Sequence, residues 1–229
     1  MAGSNMDIRQ IFRAAIAQRT KRNIRFDLAR LRARLKHHRS NSQPSSARLH
    51  LGCGERRIAG WLNVDVAGSD FDVDLGAGRL PFRDEAFEVV VSQQVIEHLE
   101  MESQLLPLLR ELFRVCKPGA EIWLSCPDID KICRSYTKDG GLALLEDRKR
   151  RWPEFSLDGA PPSQMLNVLF HQAGEHVNLF DFELLSWLIN RAGFRDCSRV
   201  DESKFKNRFA EFPVRDDDEI SLYVSAKRP

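Results

Sequence analysis

The chain has 229 residues, 42% of them hydrophobic and 30% charged, with a formal net charge of +2. That is ordinary for a globular protein and sufficient for the core of one α/β domain with an attachment. No apolar run approaches the ~18 residues of a membrane span, and the N-terminus lacks the apolar segment of a secretory signal. The five cysteines (Cys53, Cys116, Cys126, Cys133, Cys197) are odd in number and none forms a CxxC pair. This argues against a disulfide framework and a structural zinc site, and for a reducing, cytoplasmic setting. The charge is uneven. Residues 1–46 hold eleven Lys/Arg against two Asp/Glu, a net +9, whereas the remainder holds 24 against 31, a net −7.

Residues 1–5, MAGSN, read as an added sequence ahead of Met6. The spacing predicts helix over 7–39: Ile8, Ile11, Phe12 and Ile16 share one face, and Ile24, Leu28, Leu31 and Leu35 repeat at 4-3-4 spacing among arginines. A polar linker, SNSQPSS (40–46), closes this basic arm. Short apolar runs follow as strands at 48–53, 62–66 and 71–75, with a valine-rich buried strand at 86–94. Residues 95–116 read as helix, broken or kinked near Ser103–Pro107 because proline disrupts a helix interior. After KPG comes a strand at 120–128. Residues 129–175 are charged and interrupted by Gly and Pro, with room for two short helices. An amphipathic helix at 180–194 ends at Ala192-Gly193, and strands at 195–201 and 219–227 close the chain. Strand–helix alternation with a terminal strand pair implies a doubly wound, mostly parallel sheet with an antiparallel edge. Ligands of such sheets sit at the carboxyl ends of the strands, where Gly52–Gly54, Asp65, Asp74 and Gln93–Gln94 would gather.

LHLGCGERRIAGWLNVDV (49–66) is the most informative stretch. Gly52 and Gly54 flanking Cys53 let a ligand approach the main chain and present N–H groups, although tight strand ends use glycine too. The third glycine of a dinucleotide fingerprint is missing, since Glu55-Arg56-Arg57 follows. Asp65 lies 13 residues after Gly52, whereas a dinucleotide fold places its acid about 20 on. The short path leaves no proper helix N-terminus for a pyrophosphate. An acid ending the second strand still suits a ribose diol, because a carboxylate accepts from both hydroxyls. The turn therefore suits a nucleoside without a diphosphate.

LHLGCG, GWLNVDV, DLGAGRLPFRDEAFEVVVSQQVIEHL, LRELFRVCKPGAEIWLSCPD and FDFELLSWLINRAGF occur in the order and spacing of class I S-adenosylmethionine-dependent methyltransferases. The chain resembles the type 11-like branch in which a GWxNVD segment replaces a full first helix, over roughly residues 48–226. The resemblance implies a Rossmann-like, seven-stranded sheet with an antiparallel C-terminal strand, and S-adenosyl-L-methionine as cofactor. It implies that Gly52, Cys53 and Gly54 pack against the methionine part, that Asp65 holds the ribose hydroxyls and that Val66 lies against adenine. Asp74 and Leu75 match the segment that recognises the adenine edge. Gln93 and Gln94 match residues facing the sulfonium and the substrate, where the family often has His or a small polar residue.

Methyl transfer from a sulfonium needs alignment and exclusion of water, and a hydroxyl acceptor also needs a base. His98 has two readings: base or substrate contact, or local capping together with Glu97. His176 lies in a segment that, in the resembling family, lines the acceptor pocket, and carries either a catalytic or a substrate-binding role or none. His50 reads as a satisfied strand residue, and His37 and His38 as solvated. Asp128 ends the fifth strand as a turn acid or a substrate contact. No spacing supports a metal, and none is expected. Trp123 and Trp187 fit core faces, whereas Trp61 and Trp152 could border a pocket.

The expected organisation is a basic helical arm and linker (1–46) and a methyltransferase domain (47–229), with 129–179 inserted as most of the acceptor lid. The expected reaction is methyl transfer to a small-molecule hydroxyl of a sugar or natural product. The alternative is a non-enzymatic cofactor-binding or docking module on the same fold, and an NAD-type oxidoreductase is disfavoured by the early acid. The arm packs its apolar stripe on the domain or on a second copy, or binds an anionic membrane surface peripherally. Nucleic acid is the least favoured partner, since no aromatic platform accompanies the arginines.

Overall fold

The structure is a computed structural model that describes residues 18–37 and 42–229. The expectations for residues 1–17 and for the His37 and His38 side chains lie outside what it describes. No helix among the described residues is long and apolar enough to cross a membrane.

Seven strands form one sheet: β1 (Arg48–Leu51), β2 (Leu62–Asp65), β3 (Phe71–Asp72), β4 (Phe87–Gln93), β5 (Cys116–Pro127), β6 (Arg195–Val200) and β7 (Ser221–Lys227). Their order is β3-β2-β1-β4-β5-β7-β6. All pairings among β1–β5 are parallel, and β7 runs antiparallel to both neighbours. This is the expected Rossmann-like sheet, with the antiparallel strand inserted between β5 and β6 rather than placed at the edge. The strand order reverses between β1 and β4, and a doubly wound sheet opens its ligand crevice at that point.

Side chains alternate across the sheet and build two layers. Ile122 and Leu124 of β5 join Leu49, Val64 and Val90 in the larger core. That core is covered by α2 (Leu106–Val115) and by α6 (Phe182–Arg191), through Leu109, Leu112, Leu185 and Leu188. The 95–116 stretch breaks as its proline requires: a 3-10 turn (Ile96–His98), a π turn (Met101–Leu105), then α2. Pro107 lies in the first turn of α2, where its missing N–H costs nothing.

On the other face Trp123, Val89, Val91 and Tyr223 meet Ile58, Trp61, Phe205, Phe209 and Phe212. The three phenylalanines come from α7 (Glu202–Arg208) and the segment after it, which the strand-like reading of the C-terminus did not anticipate. Trp61 belongs here and not at a pocket: its ring stands edge-on to Phe209 and Phe212 at 5.6 and 5.0 Å, and its Nε1 donates to Glu211. Trp123 is core, as expected. Trp187 is not; it is 50% exposed beneath Arg191. Trp152 is exposed beside Arg148 and Arg151.

Residues 129–171 form three helices, α3 (Ile129–Asp139), α4 (Leu142–Arg151) and α5 (Gln164–His171), one more than expected. They share a small core of Ile132, Leu144, Met165 and Leu169 with Ile220. Asp128 is fully buried, caps α3 and pairs with Arg199 at 2.7 Å, so its role is structural.

The N-terminal helix α1 (Gln18–His37) turns the expected packing around. Ile24, Leu28, Leu31 and Leu35 are 45–71% exposed, while Arg30 and Arg34 of the opposite side reach the domain. The apolar stripe is thus not packed on the domain; the docked side is buried Ala33 flanked by the ionic contacts of Arg30 and Arg34.

Candidate active site

At the carboxyl ends of β1, β2 and β4 lies a cleft of about 540 Å³. Of the expected site residues, Gly52, Gly54, Asp65, Val66, Asp74, Leu75, Gln94 and His98 border it, whereas Cys53, Gln93 and His176 do not. α1 contributes Asn23, Phe26 and Arg30 to the wall, and the segment before α6 contributes Gly174 and Glu175. These residues escaped the sequence reading, because nothing in the local periodicity signals a contact made across 44 or more positions.

The glycine turn is made by both conformation and space. Gly52 and Gly54 have φ of +67° and +52°, the left-handed region that favours glycine. A Cβ on Gly52 would stand 2.2 Å from the Val95 side chain, whereas at Gly54 it would meet nothing within 4 Å. The amides, however, are not offered to a ligand as expected. Gly52 and Cys53 both donate to the Val64 carbonyl, at 2.7 and 3.1 Å. Gly54 donates to Asp65 Oδ2 at 2.8 Å, and Val66 donates to Asp65 Oδ1 at 2.6 Å. Asp65 is thereby locked at the end of β2, and each oxygen keeps a further lone pair for a hydroxyl. Burial pushes the Cys53 thiol up to about 11, so this residue is inert filling.

Asp74 is 4% exposed and bears two cations: Arg30 Nε lies 3.0 Å from one oxygen and Arg34 Nε 2.5 Å from the other. It also accepts from the Gly76 amide. Its carboxylate is engaged by α1, which reduces what it can offer to an adenine edge. Gln94 has φ of +57° and donates from Nε2 to Ser221 Oγ at 3.0 Å. Gln93 is buried, with Nε2 unpartnered.

The histidines separate. His50 is a satisfied core residue: its Nδ1 lies 3.1 Å from Asn63 Oδ1, its ring meets Phe212, and burial lowers its pKa. His98 and His176 come together, ring centroids 4.9 Å apart. Between them lies Glu97, 1% exposed, with no hydrogen-bond partner on either oxygen. Glu97 caps nothing; burial pushes its pKa up to about 8. Each histidine Nε2 lies 4.0 Å from Glu97 Oε1. His176 is held behind the cleft wall, its side chain 3% exposed, and burial lowers its pKa. His98 is the member that faces the cleft.

The residues present fit the cofactor that the motifs imply. Asp65 has spare acceptors for a diol, Val66, Leu75 and Phe26 offer apolar surface, and Gly54 opens onto free space. No long helix follows β1 to receive a pyrophosphate.

Residues 49–124 match the family model described as Methyltransferase domain. A search of curated proteins gave no match. Among solved structures, a SAM-dependent methyltransferase from Thermotoga maritima is similar at 16% identity, covering 90% of this chain and 97% of that one, with a TM-score of 0.49. Phosphoethanolamine N-methyltransferase 2 of Haemonchus contortus, solved with S-adenosylhomocysteine, is 14% identical over 82% of this chain and 50% of that one, with a TM-score of 0.46. A SAM-dependent methyltransferase from Aquifex aeolicus is 15% identical over 80% and 84%, with a TM-score of 0.42. Residues 49–124 thus carry the match to a methyltransferase domain, and they lie within a seven-stranded, mostly parallel, Rossmann-like sheet.

Proposed function

We propose that the protein methylates a hydroxyl group of a small, polar acceptor of the sugar or natural-product class. The carrying observation is the convergence of His98 and His176 on the buried Glu97 at one edge of the cofactor cleft. Residues 47–229 act as the catalytic domain, and 129–179 as the cover of the acceptor side. The cofactor supplies a methyl group on a sulfonium. The chain's residues hold its ribose (Asp65), orient the acceptor beside Gln94 and His98, and remove the acceptor's proton through the Glu97–His98–His176 cluster. Polar groups of Gln94, Gln104, His98 and Glu175 border this end of the cleft, which favours a hydroxylated acceptor over an apolar one. The test is release of S-adenosylhomocysteine with matched hydroxyl and amine acceptors. Turnover with hydroxyl acceptors, lowered in His98→Asn with unchanged cofactor affinity, is expected. Turnover with amines alone overturns the hydroxyl assignment.

A second reading concerns α1 and rests on its exposed seam. Ile24, Leu28, Leu31 and Leu35 face outward, and helical geometry places Arg25 and Arg32 alongside them. A second copy would bring a like-charged helix against this one, so an anionic membrane surface is the complementary partner. Co-sedimentation with phosphatidylserine vesicles, lost in Leu28→Glu/Leu31→Glu, is expected. A concentration-dependent dimer abolished by the same change would replace it.

A further inference from the structure

We propose that Glu97, His98 and His176 form a site for one borderline divalent cation of the Zn²⁺ class, open on one side to the acceptor end of the cleft. The first argument is the protonation of the rings. His98 Nδ1 lies 3.1 Å from the Glu175 carbonyl, and His176 Nδ1 lies 2.7 Å from the Leu169 carbonyl. A carbonyl oxygen only accepts, so each Nδ1 carries a proton, and in the neutral ring Nε2 then presents the lone pair. Ring nitrogens backed by main-chain carbonyls in this way are oriented as metal-binding histidines are.

The second argument is the convergence of acceptors. Both Nε2 atoms lie 4.0 Å from Glu97 Oε1, and one ligand atom from each residue falls within 4.8 Å of the others. Glu97 is 1% exposed, and neither oxygen has a hydrogen-bond partner. A single proton on the carboxyl satisfies one neighbour; a cation satisfies all three. Tetrahedral zinc with bonds near 2.1 Å sets its ligands about 3.4 Å apart, so each ring needs to close on the carboxylate by roughly half an ångström, and the two rings on each other by up to about 1.4 Å.

The third argument is the frame. Val177 and Asn178 donate their amides to the Glu97 carbonyl at 2.9 and 3.2 Å, and Asn178 Nδ2 donates to Leu99 O. The two ligand-bearing segments are thus fastened together by main-chain bonds independent of any ion. Two imidazoles and a carboxylate, without a thiolate, suit zinc or a first-row neighbour rather than calcium or copper(I). His98 alone borders the cleft, so the remaining coordination faces the acceptor. With the cation bound, His98 Nε2 is a ligand and no longer a base, and an acceptor hydroxyl seated on the cation would lose its proton to solvent instead. That role rests on the methyl-transfer reading above; the cation site itself does not.

The test uses the full chain without a polyhistidine tag, stripped with a chelator and dialysed, then titrated calorimetrically with Zn²⁺ alone. One equivalent is expected to bind. Glu97→Gln and His176→Asn should each weaken binding at least about tenfold. Co²⁺ should give visible absorption bands that Zn²⁺ abolishes. Thermal melting in chelator shows whether each variant folds, and Glu97→Gln, which only replaces an unpartnered carboxyl, keeps the test alive if His176→Asn does not. No stoichiometric Zn²⁺ binding by the parent chain, or equal affinity in the variants, overturns the site. If Zn²⁺ does not bind while His98→Asn still lowers turnover, the cation site falls and the methyl-transfer reading stands.

Discussion

Two carboxylates by the same cleft, Asp74 and Glu97, are almost equally buried, at 4% and 1% exposure, yet their surroundings are opposite. Asp74 has a guanidinium on each oxygen and a main-chain amide besides. Neither carboxylate oxygen of Glu97 has a hydrogen-bond partner, and two imidazole nitrogens stand 4.0 Å from one of them. Burial alone therefore does not mark a functional acid. A satisfied anion is part of the fold, whereas an unsatisfied one is a cost that the fold tolerates and that a bound species can relieve.

The comparison makes opposite predictions for the two residues. Asp74→Ala should destabilise the protein by about 2–3 kcal/mol, because it strips a cap and strands two arginines, one of them half-exposed. Chemical denaturation would read this, and proteolysis should cut α1 first. A stable Asp74→Ala would show that α1 is not latched there. Asp65→Ala comes next: it removes the acceptor for ribose and the anchor of the glycine turn. S-adenosylhomocysteine affinity should fall by about 1.5–3 kcal/mol by calorimetry. Unchanged affinity would remove Asp65 from the cofactor site. Glu97→Met, in chelator, should raise stability by about 1–2 kcal/mol while lowering turnover, since it deletes an unpartnered buried polar group at similar volume. A melting temperature below that of the parent would mean that Glu97 is paired after all, and would erase the contrast with Asp74. The smallest effect is expected for Gln94→Ala, about 0.5–1 kcal/mol in stability from its one bond to Ser221.

Much of the sheet was legible because its strands are short, valine-rich and separated by turns, and because period-two burial is a local property. The spacing from Gly52 to Asp65 and the LPF and EHL segments likewise located the cleft. Contacts between distant positions were not legible. The seam of α1 reads as a core-facing stripe by any periodicity argument. Arg30 and Arg34, meeting an acid 44 and 40 residues away, help to turn it outward. Phe205, Phe209 and Phe212 sit among lysines and arginines, so their shared face was masked by charge, and Trp61 was misplaced for want of them. The amides of the glycine turn were expected to be free. Their capture by Val64 depends on how β2 lies against β1, which spacing does not encode. An acid at the head of a helix usually caps it, and capping is one of the two readings that the local sequence allows for Glu97 and His98. The histidine that makes Glu97 unusual lies beyond four intervening α-helices.

The main-chain staple at Glu97 has a kinetic consequence. The residue that carries the lone carboxyl also accepts, through its carbonyl, the amides of Val177 and Asn178, and its neighbour's ring reaches a carbonyl 77 positions away. Closing a loop of that length comes at a late stage, after local strands and helices have formed. The cluster therefore forms when the 175–178 segment docks, a step distinct from the formation of β1 and β4. Amide exchange at Val177 and Asn178 should report that docking as a single step, separate from opening of β4 and β5.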